Sequence, residues 1–300
     1  MEPNTLLILY TLENLTEKDS RTLFTASLAI SVNPRDTLSD KINLGRAAFW
    51  VHLRQDIHVA LLLQVPINVD YPPCLQRDKI LEDMENIISQ KTLLQDNVID
   101  CAWANRIAII LVDIINYSFQ HRRRELQPWI DLRGRLDHWI IAKPRRFHPY
   151  YERAPDPAQD RIFPDIWFSC DCYVLAWLYY HTATILLKIF LPNPEDLIFD
   201  NQPNKPPIFN SVANREEVLI HARAICGVAI TNPNAQALIV VCHMVTISAL
   251  FFTTAEERSE TIKLIRLAHT VTGHPLRDIE EKLRSCWNQQ GNTSARSLQS

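Results

Sequence analysis

Glycine is scarce: there are five in 300 residues, Gly45, Gly134, Gly227, Gly273 and Gly291. So few argue against turn-rich β folds and glycine-built phosphate loops, which need backbone conformations that other residues adopt only under strain. An excess of charge is missing too. The formal net charge is −3, which leaves no global basic field for nucleic acid or an anionic membrane. The seven cysteines, Cys74, Cys101, Cys170, Cys172, Cys226, Cys242 and Cys286, are odd in number and contain no CxxC pair. Most lie in apolar runs and read as reduced, buried thiols. Cys170 and Cys172 are the one close pair, and on a helix a spacing of two points them to different sides, so no metal site is expected. The opening MEPNTLLILY lacks the basic start and cleavage site of a signal peptide, so the chain is not expected to be secreted. Motifs of nucleophile elbows, zinc proteases, Walker loops and dinucleotide folds are all absent. Enzyme chemistry has no positive support.

What is present is an apolar fraction of 47% against 22% charged residues, a composition that can bury a large core. The expectation is an all-α, multi-helix domain over residues 1–290 with a polar tail at 291–300. Thr5 to Leu12 should open a short helix, and Thr16 with Asp19 reads as an N-cap ahead of a second. Gly45 to Pro66 should be one long helix with Phe49, Trp50, Leu53, Ile57, Ala60 and Leu61 on one arc. Its remaining circumference mixes Val51, Val59, Leu62 and Leu63 with charges, so it is expected to be central and touched all round. Further helices are expected from Asp78 to Ser89, from Val98 to Gln120 with Ile99, Trp103, Ile107, Ile110 and Ile114 in register, and from Pro128 to about Ala142. Lys143 to Pro164, with five prolines, reads as a long irregular connection, and Pro192 to Pro207 as another.

Two stretches invite a membrane test. Cys172 to Leu187 and Ala235 to Ala255 contain no Asp, Glu, Lys or Arg, and the second reaches the ~20 residues that span a bilayer. Gln236, His243, several threonines and the lack of basic flanks favour buried core helices. No membrane partner is expected.

The run FWVHLRQDIHVALLLQVP from Phe49 to Pro66 resembles the signature helix of the fungal-specific transcription factor domain, the helical regulatory region that follows a six-cysteine zinc cluster. Phe49, Trp50, Arg54, Gln55, Asp56, Ile57, Ala60, Gln64 and Pro66 carry the match. The resemblance continues through Trp103, Ala104, Asn105, Arg106 and Ile107, through Phe163, Pro164, Ile166, Trp167 and Phe168, and to Thr272, Gly273, His274, Pro275, Leu283 and Trp287. It implies a non-enzymatic, nuclear regulator of RNA polymerase II transcription. Its partners would be transcriptional co-regulators or a second copy of itself, with a small-molecule inducer as a further ligand. The family's zinc cluster precedes the helices seen here, so DNA contact is expected only through a segment this chain lacks. No cofactor is expected either, zinc entering only with such an upstream cluster.

Candidate site residues follow from these segments. Trp50, Arg54, Gln55 and Asp56 either network to neighbouring helices, because mid-helix charges need partners, or line an inter-helix pocket for an inducing metabolite. His52 and His58 flank Asp56, and a histidine two residues from a carboxylate points elsewhere, so no acid–base pair is expected. Arg122, Arg123 and Arg124, with KPRR at Lys143 to Arg146, could form an import patch; the plainer reading is a basic helix end that suits the helix dipole. Glu82, Asp83 and Glu85 read as an exposed acidic face. Reading them instead as a metal cluster would suit an all-α small-molecule enzyme or binding protein of terpene-cyclase type, the alternative from a different class.

Overall fold

The computed structural model describes residues 40–67, 77–89, 96–120, 124–192, 212–233, 235–272 and 279–288. The helices expected near the start, the connection after Pro192, the turn at 273–275, the tail, Cys74, Arg122 and Arg123 lie outside them. Of the described residues 79% are helical, and the only sheet among them has two strands, so the fold is all-α.

The first described helix, α1, spans Asp40–Leu63. Leu53, Ile57, Ala60 and Leu61 are buried as their spacing requires, each large aliphatic contributing about 1.5–3 kcal/mol. Phe49 and Trp50 are only half-buried and meet edge to face at 5.2 Å. Gln64, with φ 55°, turns the chain left-handed, and Val65 N–H donates back to the Ala60 carbonyl at 3.2 Å. The helix therefore stops three residues before Pro66, by a left-handed cap normally given to glycine or asparagine.

Among the described residues α1 is not the central helix. It packs on α3 (Asp96–Phe119) and α7 (Ala235–Ala249), and its Val51 is 57% exposed. The centre is α3, packed most extensively against α5 (Asp171–Ile189). Beyond the stripe expected from Ile99 to Ile114, α3 also buries Ala108, Ile109, Leu111, Val112 and Ile115. A helix apolar on every side gains most by being covered on every side. Helix α2 (Arg77–Ser89) lies on α3 through Ile80, Met84 and Ile88, four residues apart on one face. Helix α4 (Leu126–Ala142) buries Leu132, Leu136 and Trp139, and the Trp139 indole donates to the Trp103 carbonyl at 3.0 Å.

The proline-rich stretch after α4 is largely irregular, as expected, but carries short elements that the sequence did not suggest. A 3-10 turn at Arg145–Phe147 leads into strand β1 (Tyr151–Arg153), which pairs antiparallel with β2 (Asp165–Trp167), Glu152 opposite Ile166. Prolines do not prevent this, because the ribbon is only three residues long and the prolines lie outside its strands. Phe147, Phe163, Ile166 and Phe168 are buried anchors, so the strap is part of the core.

Helix α6 (Val212–Thr231) receives the strap. Its end residue Thr231 donates to the Ile166 carbonyl at 2.6 Å, Asn232 donates to the same carbonyl at 2.8 Å, and Phe168 N–H donates to Asn232 Oδ1 at 3.2 Å. After the break near Pro233 come α7 and α8 (Ala255–Thr272). Thr254 caps α8: it accepts from Glu257 N–H at 3.2 Å and donates to the Glu257 carboxylate at 3.0 Å, satisfying an orphan donor of the first turn. A last helical stretch, α9, at 279–288, buries Leu283 and Trp287. The Trp287 indole donates to the Ala249 carbonyl at 2.9 Å. No helix among the described residues is long and apolar enough to cross a membrane. The run from Ala235 is helical only to Ala249.

Candidate functional site

On α1 the half-buried Arg54 is a tie between helices. Its guanidinium donates to the Trp50 carbonyl at 3.0 Å and to Asn105 Oδ1 of α3 at 2.7 Å, and sits 5.9 Å from the Trp50 ring centroid. Its charge also reaches the buried Tyr179 of α5, opposing the desolvation that pushes that phenol up to about 12. Asp56 is held differently. His52 Nε2 lies 3.7 Å from its Oδ2, and burial raises the carboxyl against the pull of His52. The expectation that neither flanking histidine pairs with Asp56 is therefore wrong for His52, which stands four residues before it and one helical turn away. His58, two residues on, is buried. Gln55 is half-buried. Arg54 is thus drawn toward α3 and α5 while Asp56 is paired within α1.

A cleft of about 160 Å³ opens elsewhere, among α2, α3 and α4, lined by Leu81, Met84, Glu85, Arg106, Ile110 and Arg135. Arg106 pairs with Glu85 at 2.6 Å and lies 5.5 Å from the Trp103 ring centroid. Arg135 pairs with Asp113 at 2.6 Å. Two guanidinium groups beside Leu81, Met84 and Ile110 suit a small molecule with a carboxylate at one end and a hydrocarbon body. Sequence reasoning placed Arg106 in a segment of interest but did not single it out, and gave Arg135 no role. The two lie on different helices, and only tertiary packing brings them together. Glu82 and Glu85 are exposed and Asp83 half-buried. Among the described residues no group of three or more His, Cys, Asp or Glu is placed to hold a metal.

Where they are described, Arg124, Lys143 and Arg146 make internal contacts, whereas Arg145 is exposed. Arg124 donates to the Ser118 carbonyl at 2.6 Å, near the C-terminus of α3, and stacks 4.6 Å from the Phe190 ring centroid. That contact suits a basic residue near a helix C-terminus. Lys143 is buried, donating to the Ile140 carbonyl at 2.9 Å. Arg146 donates to Asp100 Oδ1 at 2.5 Å and pairs with Asp96 at 3.2 Å.

Two further polar clusters were not foreseen. Asp100, 5% exposed, also accepts from the Tyr173 hydroxyl at 2.5 Å, so one carboxylate joins α3, α5 and the strap. Burial and the Asp100 hydrogen bond together raise the Tyr173 phenol. The second cluster joins α5 to α6, with His181 Nδ1 2.8 Å from His221 Nδ1 among the rings of Trp177 and Tyr180. One nitrogen must carry the proton and the other the lone pair, so the two rings cannot both be charged while the bond is kept. Burial lowers both histidines, His221 to about 4 with help from Lys188 and Arg133.

The cysteines divide. Cys226, Cys242 and Cys286 are buried as expected, whereas Cys101 and Cys170 are exposed and Cys172 is half-buried. Cys170 lies just before α5 in extended backbone rather than on it. The two sulfurs, expected to point apart, are therefore 3.2 Å from each other. No family model, no curated protein and no solved structure matches the chain.

Proposed function

We propose that this chain is the helical regulatory domain of a fungal transcription factor, non-enzymatic and nuclear. It acts on RNA polymerase II transcription through co-regulators, self-association or ligand sensing, and DNA contact would require a zinc-cluster segment that this sequence does not contain. One observation carries the reading. Arg54 of the Phe49–Pro66 segment hydrogen-bonds Asn105 of the Trp103–Ile107 segment at 2.7 Å. Residues 51 positions apart that the resemblance picks out for their type alone are partners in space.

The cleft beside Arg106 is the better seat for an inducing ligand than the Trp50, Arg54, Gln55 and Asp56 group, because Arg54 already holds α1 to α3. A ligand carboxylate would take the place of Glu85, whose side chain is 57% exposed, on Arg106, which is 20% exposed. The test is to tether the chain to an unrelated DNA-binding module in fungal cells and read a reporter. A changed transcription rate and nuclear accumulation are expected. A reporter indistinguishable from the module alone, with the fusion folded and in the nucleus, refutes the regulatory reading.

A further inference from the structure

Two thiols meet at the N-terminal end of α5, with a third on α3 in their neighbourhood. Cys170 is exposed, Cys172 half-buried, and their Sγ atoms are 3.2 Å apart. Cys101, exposed on α3, is near enough for its charge to act on Cys172 and for that of Cys170 to act on Cys101. The geometry favours closure. Cys170 has φ −150° and ψ 141°, and its carbonyl already accepts from Tyr173 and Val174 N–H at 3.1 and 3.3 Å. Its Sγ lies beside that of Cys172 at the start of α5. A disulfide needs sulfurs at about 2 Å, so the pair must approach by roughly 1 Å.

We propose that Cys170 and Cys172 form a reactive dithiol, a modification site that hydroperoxides oxidise to an intramolecular disulfide. The Cys170 thiolate attacks the outer oxygen of a hydroperoxide. The O–O bond breaks, leaving a Cys170 sulfenic acid and, after protonation, an alcohol or water. The Cys172 sulfur then attacks the Cys170 sulfur, the S–S bond forms, and hydroxide leaves with the Cys172 proton as water. Two thiols lose two electrons and one hydroperoxide gains them. Cys170 is oxidised first because it is the more accessible of the two, the thiolate being the reacting form. Cys172, kept protonated by burial and by its contact with Cys170, is the resolving thiol.

The experiment uses the full chain, reduced and then freed of reductant. Treatment with hydrogen peroxide, alkylation and peptide mass analysis should give a peptide containing residues 170–172 that is two hydrogens lighter, unalkylated, and restored by dithiothreitol. Phenylarsine oxide, which chelates neighbouring thiols, should bind at one equivalent and protect both cysteines from alkylation. Cys170→Ser and Cys172→Ser should each lower its affinity at least tenfold, whereas Cys226→Ser should not. Serine at 170 suits the residue preceding a helix, so this variant keeps the fold. Independent alkylation of Cys170 and Cys172 after peroxide, a disulfide to Cys101 instead, or full arsenical binding by either single variant overturns the assignment.

Discussion

Glycine to alanine should have opposite signs at two helical positions. In α4, a Cβ on Gly134 would meet nothing within 4 Å, so Gly134→Ala should bring only the helix-propensity gain of about 1 kcal/mol. In α6, a Cβ on Gly227 would lie 2.9 Å from Pro164 Cγ and 3.1 Å from its Cδ, and closer still to the Pro164 carbonyl oxygen. The strap cannot simply lift away. Two residues on, the Ile166 carbonyl is held by Thr231 and Asn232, and Phe168 N–H is held by Asn232. Overpacking against such a neighbour costs about 1–3 kcal/mol, and each strap hydrogen bond weakened adds about 1 kcal/mol. After the propensity gain is subtracted, Gly227→Ala should be destabilised by roughly 1–3 kcal/mol, placing the two variants about 2–4 kcal/mol apart. Guanidinium denaturation followed by far-ultraviolet circular dichroism gives both values. Tryptophan fluorescence should also show an earlier transition in Gly227→Ala, because Trp167 lies on β2. If Gly227→Ala matches wild type within about 0.5 kcal/mol, the packing of Pro164 on α6 is not as described.

Three further perturbations address the polar clusters. The His181–His221 pair is neutral in the fold, with both histidines depressed and His221 at about 4, while an unfolded histidine protonates near 6.5. Its contribution is complete above the unfolded value and is lost as pH falls from there toward 4. His221 alone should cost roughly 2 kcal/mol between pH 7 and pH 5, and His221→Gln should flatten that part of the stability profile; an unchanged slope would contradict a buried neutral pair. Asp100→Ala leaves the Tyr173 hydroxyl and Arg146 without their shared acceptor and should lower stability by about 3 kcal/mol, measured as a shift in denaturation midpoint. Asp100→Asn should recover part of this, since it keeps an acceptor oxygen. Thr254→Ala removes the α8 cap and should cost about 1 kcal/mol, with amide exchange rising first at Glu257 N–H.

The sequence was most legible where periodicity alone decides the outcome. Leu53, Ile57, Ala60 and Leu61 recur at helical spacing and are buried together. Centrality was misassigned for a physical reason: apolar residues around α1 show that it can be covered, not that it is. The stronger signal was in α3, where Ile107 to Val112 is an unbroken apolar run, and there the reading stopped at a single stripe. The strap was missed because its three-residue strands have no measurable period. What orders them are Thr231 and Asn232, more than sixty positions later.

The candidate site shows the same division between what is local and what is not. That Arg54 and Asp56 need partners follows from the cost of burying charge. Where those partners come from does not. For Asp56 it was a matter of counting one turn back to His52; for Arg54 it required the register of α1 on α3 to bring Asn105 within reach. The cleft is less local again, because Arg106 and Arg135 converge only after α2 and α4 have packed on α3. This separates the two arginines in function. Arg54 donates to groups already in place and has a fixed structural duty, so substituting it disturbs helix packing whether or not a ligand exists. Arg106 is matched to Glu85, a largely exposed carboxylate on α2, so on the proposed ligand reading this is the partner an incoming anion would displace. A sensing residue has to be able to change partners, and of the two arginines only Arg106 has one so readily displaced.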